Sequence, residues 1–352
     1  MELTLMNRDL IKILTIDLPK SFIWTDRYNK YGDFELYFST RSIIYSYILK
    51  KYYLMFSLSE HLMIVESMLI TTDSTTGDLV KVTGRSLESI LDRRIVWGQL
   101  DIQGTPQEII QTLLNQSIIN PIDSDRKINN FVFEASTDTR ITSLSSVTLQ
   151  FTGDNLYEVI SNICKAYGIG FKVYFDELKR FVFKLYVGQD RSQAQTTNPY
   201  VIFSPEYDNI VSSEYFTSDA NEKNVNLVAG EGEGASRKMI QCGSGVGIDR
   251  KEMFTDASDI SSDVDGTTLT DAQYNARMLE RGNTEMAQYT EEEMFSGQAE
   301  TTRTYIYNKD FFMGDLVQTS DAYSHAGRSL ISEFIFAVDT SGIKMYPTFE
   351  NM

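Results

Sequence analysis

The residues most able to carry metal or nucleophilic chemistry are few: His61 in "LSEHLMI", His325 in "AYSHAGR", Cys164 and Cys242. Neither histidine has a second His or Cys close by, and the cysteines have no CxxC spacing, so no zinc site or disulfide framework is implied. Cys164 falls in the apolar-periodic stretch "LYEVISNICKAYGIG", where a buried, inert thiol is expected. "CGSGVGI" at 242–248 lacks the Gly-x-Ser-x-Gly spacing of a hydrolase elbow and reads as a Gly-rich turn. "GEGEG" at 230–234 lacks the Lys of a phosphate cradle, and Glu231 and Glu233 would repel phosphate. In "DASDISSDVDGTTLTD", 256–271, Asp263, Asp265 and Gly266 match part of a calcium loop, but Ser261 and Ala272 stand at two essential ligand positions. A flexible acidic loop is the better reading. No local pattern singles out a catalytic pair among the 49 acids, so neither a metal nor a cofactor is called for.

Charge narrows the function classes further. Residues 201–300 hold 20 Asp and Glu against 7 Lys and Arg, a net of −13 out of −17 for the chain. Such a surface disfavours gripping nucleic acid, whose binding draws on Lys and Arg, although an acidic lining would let DNA slide past without sticking. The 352 residues suffice for two or three domains, each with a full core. Aromatics at 12% tilt the fold towards β structure. The first twenty residues carry Asp9, Lys12 and Asp17 and do not read as a signal peptide, and no stretch approaches the ~18 apolar residues of a membrane span. Synthesis in a reducing cytoplasm is expected.

The elements that must position any site follow from periodicity. Residues 1–100 predict six or seven strands, among them Leu3 and Leu5, Ile11 and Ile13, "KYYLMFSL", "HLMIVESMLI" and "DLVKVTG". "GRSLESILDRRIVW" reads as a short helix capped by Ser86 and running into a strand at Ile95 to Trp97. Residues 101–198 predict an α+β unit. Its first helix has Thr105 as N-cap, Pro106 at the first position and Glu108 closing a capping box; a second follows in "GDNLYEVISNICKAYGIG", then a hairpin in "FKVYFDELKRFVFKLYV". Residues 199–352 return to strands, including "PYVIFS", "NVNLVAG", "ETTRTYIY" and "RSLISEFIFAV". They are interrupted at about 245–295 by the acidic loop and a long, polar, exposed or partner-facing helix with Thr270 and Gln273 as capping box. The fold class is α+β, mostly β: two β-barrel-like domains, 1–100 and 199–352, with an α+β domain between them.

Near the start, "SFIWTDRYNKYGDFELYF" predicts a hairpin with Phe22, Trp24, Phe34 and Leu36 turned inward and a loop from Asp26 to Asp33. Trp24, Arg27 and Tyr28 followed by Gly32, Asp33, Phe34, Glu35 and Leu36 resemble a signature of the baseplate or tail hub proteins of phages of Gram-positive bacteria and of related phage-tail-like particles. The end of the chain, "YNKDFFMGDLVQT" and "RSLISEFIFAVDTSGIKMYPTFE", is similar to that family's closing segment.

The resemblance implies a hub-like structural protein of the virion tail, not an enzyme. Three subunits would form a pseudo-sixfold ring around a central channel and join the tail tube to a central spike or fibre. Implied partners are a second and third copy of the chain, a distal tail or tail tube protein, a tape measure protein and a spike or fibre protein, with DNA only as passing cargo and no membrane insertion. Some relatives continue into a peptidoglycan-degrading domain, whereas this chain stops at Met352, which would leave lysis to another protein. Arg27, Tyr28 and Tyr31 of the opening loop are the expected contact residues at a subunit or tube interface. The competing readings are a cell-wall hydrolase using two carboxylates and a host-surface binding module using exposed aromatics.

Overall fold

The computed structural model describes residues 2–17, 21–73, 77–264, 267–299, 304–321, 323, 326–339 and 342–351. Packing divides the chain into two units. Unit 1 gathers 1–90, 170–216 and 293–352, and unit 2 gathers 91–169 and 217–292.

Unit 1 is built on one large sheet. Its first seven strands are β1 (Glu2–Met6), β2 (Lys12–Asp17), β3 (Ser21–Arg27), β4 (Asp33–Ser39), β5 (Tyr53–Phe56), β6 (Leu62–Asp73) and β7 (Gly77–Ser86). β3 and β4 form the expected hairpin, with Trp24 opposite Phe34 and Phe22 opposite Leu36; all four side chains are at most 1% exposed. Trp24 packs against Phe22, Phe34 and Phe56 with ring centroids 5.6–6.1 Å apart, tilted rather than face to face. The other neighbour of β3 comes from the far end of the chain. Strand Ala326–Asp339 runs antiparallel to it, with Phe336 opposite Trp24 and Glu333 opposite Arg27.

This pairing changes the expected organisation. The first and last β parts are one sheet, in the order β3, β4, β7, β6, β5, β1, β2 on one side and Ala326–Asp339, Gly342–Asn351, Glu292–Ala299, Ile210–Ser218 on the other. Its outer strands are different and do not pair with each other among the described residues, so two closed barrels are not present. Blocks 1–100, 101–198 and 199–352 are redistributed because cross-strand hydrogen bonds join segments more than 300 positions apart. β2 also inverts the expected face. Ile11 and Ile13 are 55% and 37% exposed while Ile16 is buried, since the antiparallel register with β1 sets Ile16 opposite buried Leu3. Of "ETTRTYIY", residues 300–303 lie outside the described residues and 304–307 form no strand.

Unit 2 contains the expected helices. Pro106–Leu114 begins with the Thr105–Glu108 capping box and buries Ile109, Ile110, Leu113 and Leu114. Leu156–Ala166 is capped by Asn155 and buries Cys164, whose thiol pKa burial pushes upward. Helix Asp271–Met286 has the Thr270–Gln273 box, and only part of its surface is exposed. It buries Tyr274, Met278 and Gly282 on the sheet of Val225–Ala229, Met239–Gly243 and Glu252–Asp256, where the absent side chain of Gly282 leaves room for Cys242 and Val228. Arg277 bonds Asp101 at 2.5 Å and Arg281 bonds Asp259 at 3.1 Å, so polar residues off the apolar stripe are also tied down. Leu87–Arg93, whose residues 87–90 belong to unit 1, forms a 3-10 helix burying Leu87, Ile90 and Leu91, and Ile95 contributes an isolated bridge rather than a strand. The Ser86 hydroxyl accepts the Gly32 N–H at 2.8 Å and also hydrogen-bonds Glu88 in the first turn of this helix.

Candidate functional site

The loop after β3 is shaped by bonds within unit 1. Arg27 donates Nε to Glu333 Oε1 at 2.6 Å, pairs with Asp33, and donates to the Tyr31 carbonyl at 3.1 Å, joining β3, β4 and strand Ala326–Asp339 through one guanidinium. Burial alone would lower the Arg27 pKa, but these carboxylates outweigh it and raise it. Tyr31 stacks beneath the Arg85 guanidinium, 4.9 Å from its ring centroid. Tyr28 is 1% exposed. Its backbone N–H bonds Ser332 O, its carbonyl accepts the Phe171 N–H, and its ring meets Tyr186 edge-on at 5.3 Å. The Tyr28 ring also lies over two glycines: a Cβ at Gly170 or Gly314 would stand 2.2 Å from it. Arg27 and Tyr31 therefore keep part of their surface, while the Tyr28 ring is used up inside the unit.

Gly314 opens the closing "GDLV" motif. It holds φ +83°, a left-handed conformation that favours glycine, and its neighbour Asp315 accepts from Arg191 Nε at 2.6 Å, the Gln189 N–H at 2.6 Å and the Phe312 N–H at 3.0 Å. The opening and closing motifs thus meet at Tyr28 and Gly314.

Beside this contact is a buried charge centre. Asp26, 1% exposed, accepts hydrogen bonds from Trp24 Nε1 and Ser59 Oγ, both at 2.8 Å. His61 Nδ1 lies 2.9 Å from Glu88 Oε1, and the same oxygen accepts the Val173 N–H at 2.7 Å. Burial would lower the His61 pKa, but the Glu88 and Asp26 carboxylates outweigh it and raise it to about 9, so the imidazole is a cation at neutral pH. Glu88 is held below the usual carboxylate range by His61 and the Val173 N–H despite its burial. Asp26 moves the other way, because burial outweighs the help of His61, Ser59 and Trp24. A cavity of about 270 Å³ borders Asp26 and His61 and is lined also by Lys172, Arg191 and Asp315.

Ser, His and acid are together here, but Ser59 donates to Asp26 rather than to His61, so the imidazole is not placed to take the hydroxyl proton. The centre works as a clamp, drawing β3, the β5–β6 turn, the 3-10 helix and strand Gly170–Phe175 onto one set of charges. Sequence reading passed over it because His61 has no nearby partner in sequence; Asp26 and Glu88 are 35 and 27 positions away. His325, Asp265 and Gly266 lie outside the described residues, and among the described residues no cluster of His, Cys, Asp or Glu could hold a metal ion.

A family model described as Siphovirus ReqiPepy6 Gp37-like protein matches residues 2–349. The chain belongs to this family. Its fold is similar to a tail protein from Neisseria meningitidis MC58 (TM-score 0.59, 10% identity, covering 99% of this chain and 96% of that one). It is also similar to the 43 kDa tail protein of prophage MuSo2 from Shewanella oneidensis (0.56, 12%, 99% and 98%). A third likeness is to prophage tail protein gp18 from Listeria monocytogenes EGD-e (0.55, 12%, 100% and 95%). No curated protein sequence matches the chain. The family is one of phage tail and baseplate-type structural proteins, as the two terminal motifs led us to expect.

Proposed function

We propose that this family member is the hub subunit of a tail baseplate, acting by assembly rather than catalysis. Three copies close a ring that receives the tail tube or distal tail protein on one side and a central spike or fibre on the other, with the tape measure protein and DNA passing through. The observation that carries this reading is the family match across residues 2–349, joined to a fold likeness that covers whole tail proteins end to end. The loop of Arg27 and Tyr31, with exposed Lys30 between them, offers the outward surface for a neighbour. Acidity supports a channel role. Arg237, Lys238, Arg250, Lys251 and Arg281 are each already paired with an acid, so the excess carboxylates of 201–300 stay uncompensated and would repel DNA phosphate.

Light scattering of the purified chain over a concentration series tests the proposal. A mass of three protomers, resolving by electron microscopy into a ring with an axial opening, is the expected result. A monomer at every concentration, unchanged when the tube and spike proteins are added, overturns it.

A further inference from the structure

Within unit 1, a second cavity of about 350 Å³ adjoins the charge centre, within the size range of small-molecule sites. Its lining includes six aromatic residues, Tyr305, Tyr307, Phe311, Phe312, Phe334 and Phe336, together with Leu58, Ile306 and Met345; Phe311, Phe334 and Phe336 are buried, so the open ring surface comes from Tyr305, Tyr307 and Phe312. The rings stand at several angles. Tyr307 lies parallel to Phe334 with 3.9 Å between centroids, whereas Phe336 meets Phe334 at 62° and Phe311 meets Tyr307 at 53°. Non-parallel rings surround a rounded guest, while a flat sugar ring would need one open platform.

The polar lining points the same way. Ser59 donates to Asp26, Ser57 accepts the Glu2 N–H, and Asn308 donates to the Leu58 carbonyl, which leaves the Tyr305 and Tyr307 hydroxyls as the remaining polar side-chain lining apart from Glu60. A guest that needs several hydrogen bonds finds few. The one charged side chain among the described lining residues is Glu60, ionised through its pair with Lys172 and exposed at the rim. In the adjoining cavity His61 is engaged by Glu88, Arg191 by Asp315 and Lys172 by Glu60.

We propose that this aromatic cage binds a quaternary ammonium group, a cation that offers no hydrogen-bond donor and is held by ring faces and the Glu60 carboxylate. Attraction of a cation to several rings favours it over a neutral guest of equal shape. The same headgroup could come free in solution or be carried on a phosphatidylcholine surface.

Calorimetric titration of the full chain with choline, and in parallel with its neutral isostere 3,3-dimethyl-1-butanol, tests the site. Saturable choline binding about tenfold tighter than that of the isostere is expected. Phe312 is 42% exposed and its ring also lies 5.8 Å from the Arg191 guanidinium, so Phe312→Ala should fold with a small drop in melting temperature while weakening choline about tenfold, and Glu60→Gln should weaken it by a smaller factor. Co-sedimentation with phosphatidylcholine vesicles then assigns the source: capture means a surface-borne headgroup, and binding of free choline alone means a soluble ligand. Equal affinity for the neutral isostere, absence of saturable choline binding, or full affinity in a folded Phe312→Ala variant overturns the proposal.

Discussion

Replacing Glu88 by Ala removes the centre of the buried clamp. The rise of the His61 pKa from 6.5 to about 9 corresponds to about 3 kcal/mol, at 1.36 kcal/mol per pH unit. Glu88→Ala takes away most of that and leaves the Val173 N–H without its acceptor, a further ~1–3 kcal/mol. The two overlap, and about 4 kcal/mol is the expected loss at pH 7, in the range for breaking one half of a buried pair. Spread over the roughly 200 residues of unit 1, this lowers the melting temperature of that unit by about 8–16 °C.

The pH dependence has a definite sign. A histidine whose folded pKa is raised contributes its full stabilisation below pH 6.5 and loses it as pH rises through about 9. The gap between the natural protein and Glu88→Ala should therefore be widest at pH 6 and narrow by about 3 kcal/mol towards pH 10. Scanning calorimetry of both proteins from pH 6 to pH 10 reads the gap directly, because the other titrating groups are common to the pair. A gap under about 1 kcal/mol at pH 7, or one that stays constant to pH 10, would show that no charged His61–Glu88 pair holds these elements.

Two further substitutions probe smaller features. Gly314→Ala puts a Cβ into the Tyr28 ring at a residue with φ +83°, so a loss of about 3 kcal/mol or more in urea unfolding is expected, and a change under about 1 kcal/mol would mean that the two motifs do not meet there. Thr105→Ala, which breaks only an exposed capping box in unit 2, should cost about 1 kcal/mol by the same assay and leave the Glu88→Ala melting gap unchanged.

What was legible in the sequence was local. Period-two alternation placed Phe22, Trp24, Phe34 and Leu36 in the core, and the residue types at Thr105, Glu108, Thr270 and Gln273 marked two helix starts that the backbone adopts. Periodicity says nothing about which strand lies beside which, so the β3 pairing with Ala326–Asp339 was hidden and the β parts read as separate barrels. The same limit applied to the charge centre, whose members come from four elements. The seat of the polar helix Asp271–Met286 was hidden for another reason: a stripe of only Tyr274, Met278 and Gly282 suffices to hold it, too narrow to stand out among its charged neighbours.

The Arg27–Glu333 bond joins residues 306 positions apart. On a ribosome adding about 5–20 residues per second, β3 leaves the exit roughly 15–60 s before the strand that pairs with it. Throughout that interval one edge of the first hairpin carries open N–H and C=O groups beside the apolar faces of Phe22 and Trp24, a template that another nascent chain can match. Unit 2, whose residues 91–169 and 217–292 have all been made before residue 326, has its full sequence available earlier. Slow translation or a warm culture should therefore send this protein into inclusion bodies through β3, and a holding chaperone that masks β3 until the last strand arrives should raise its soluble yield.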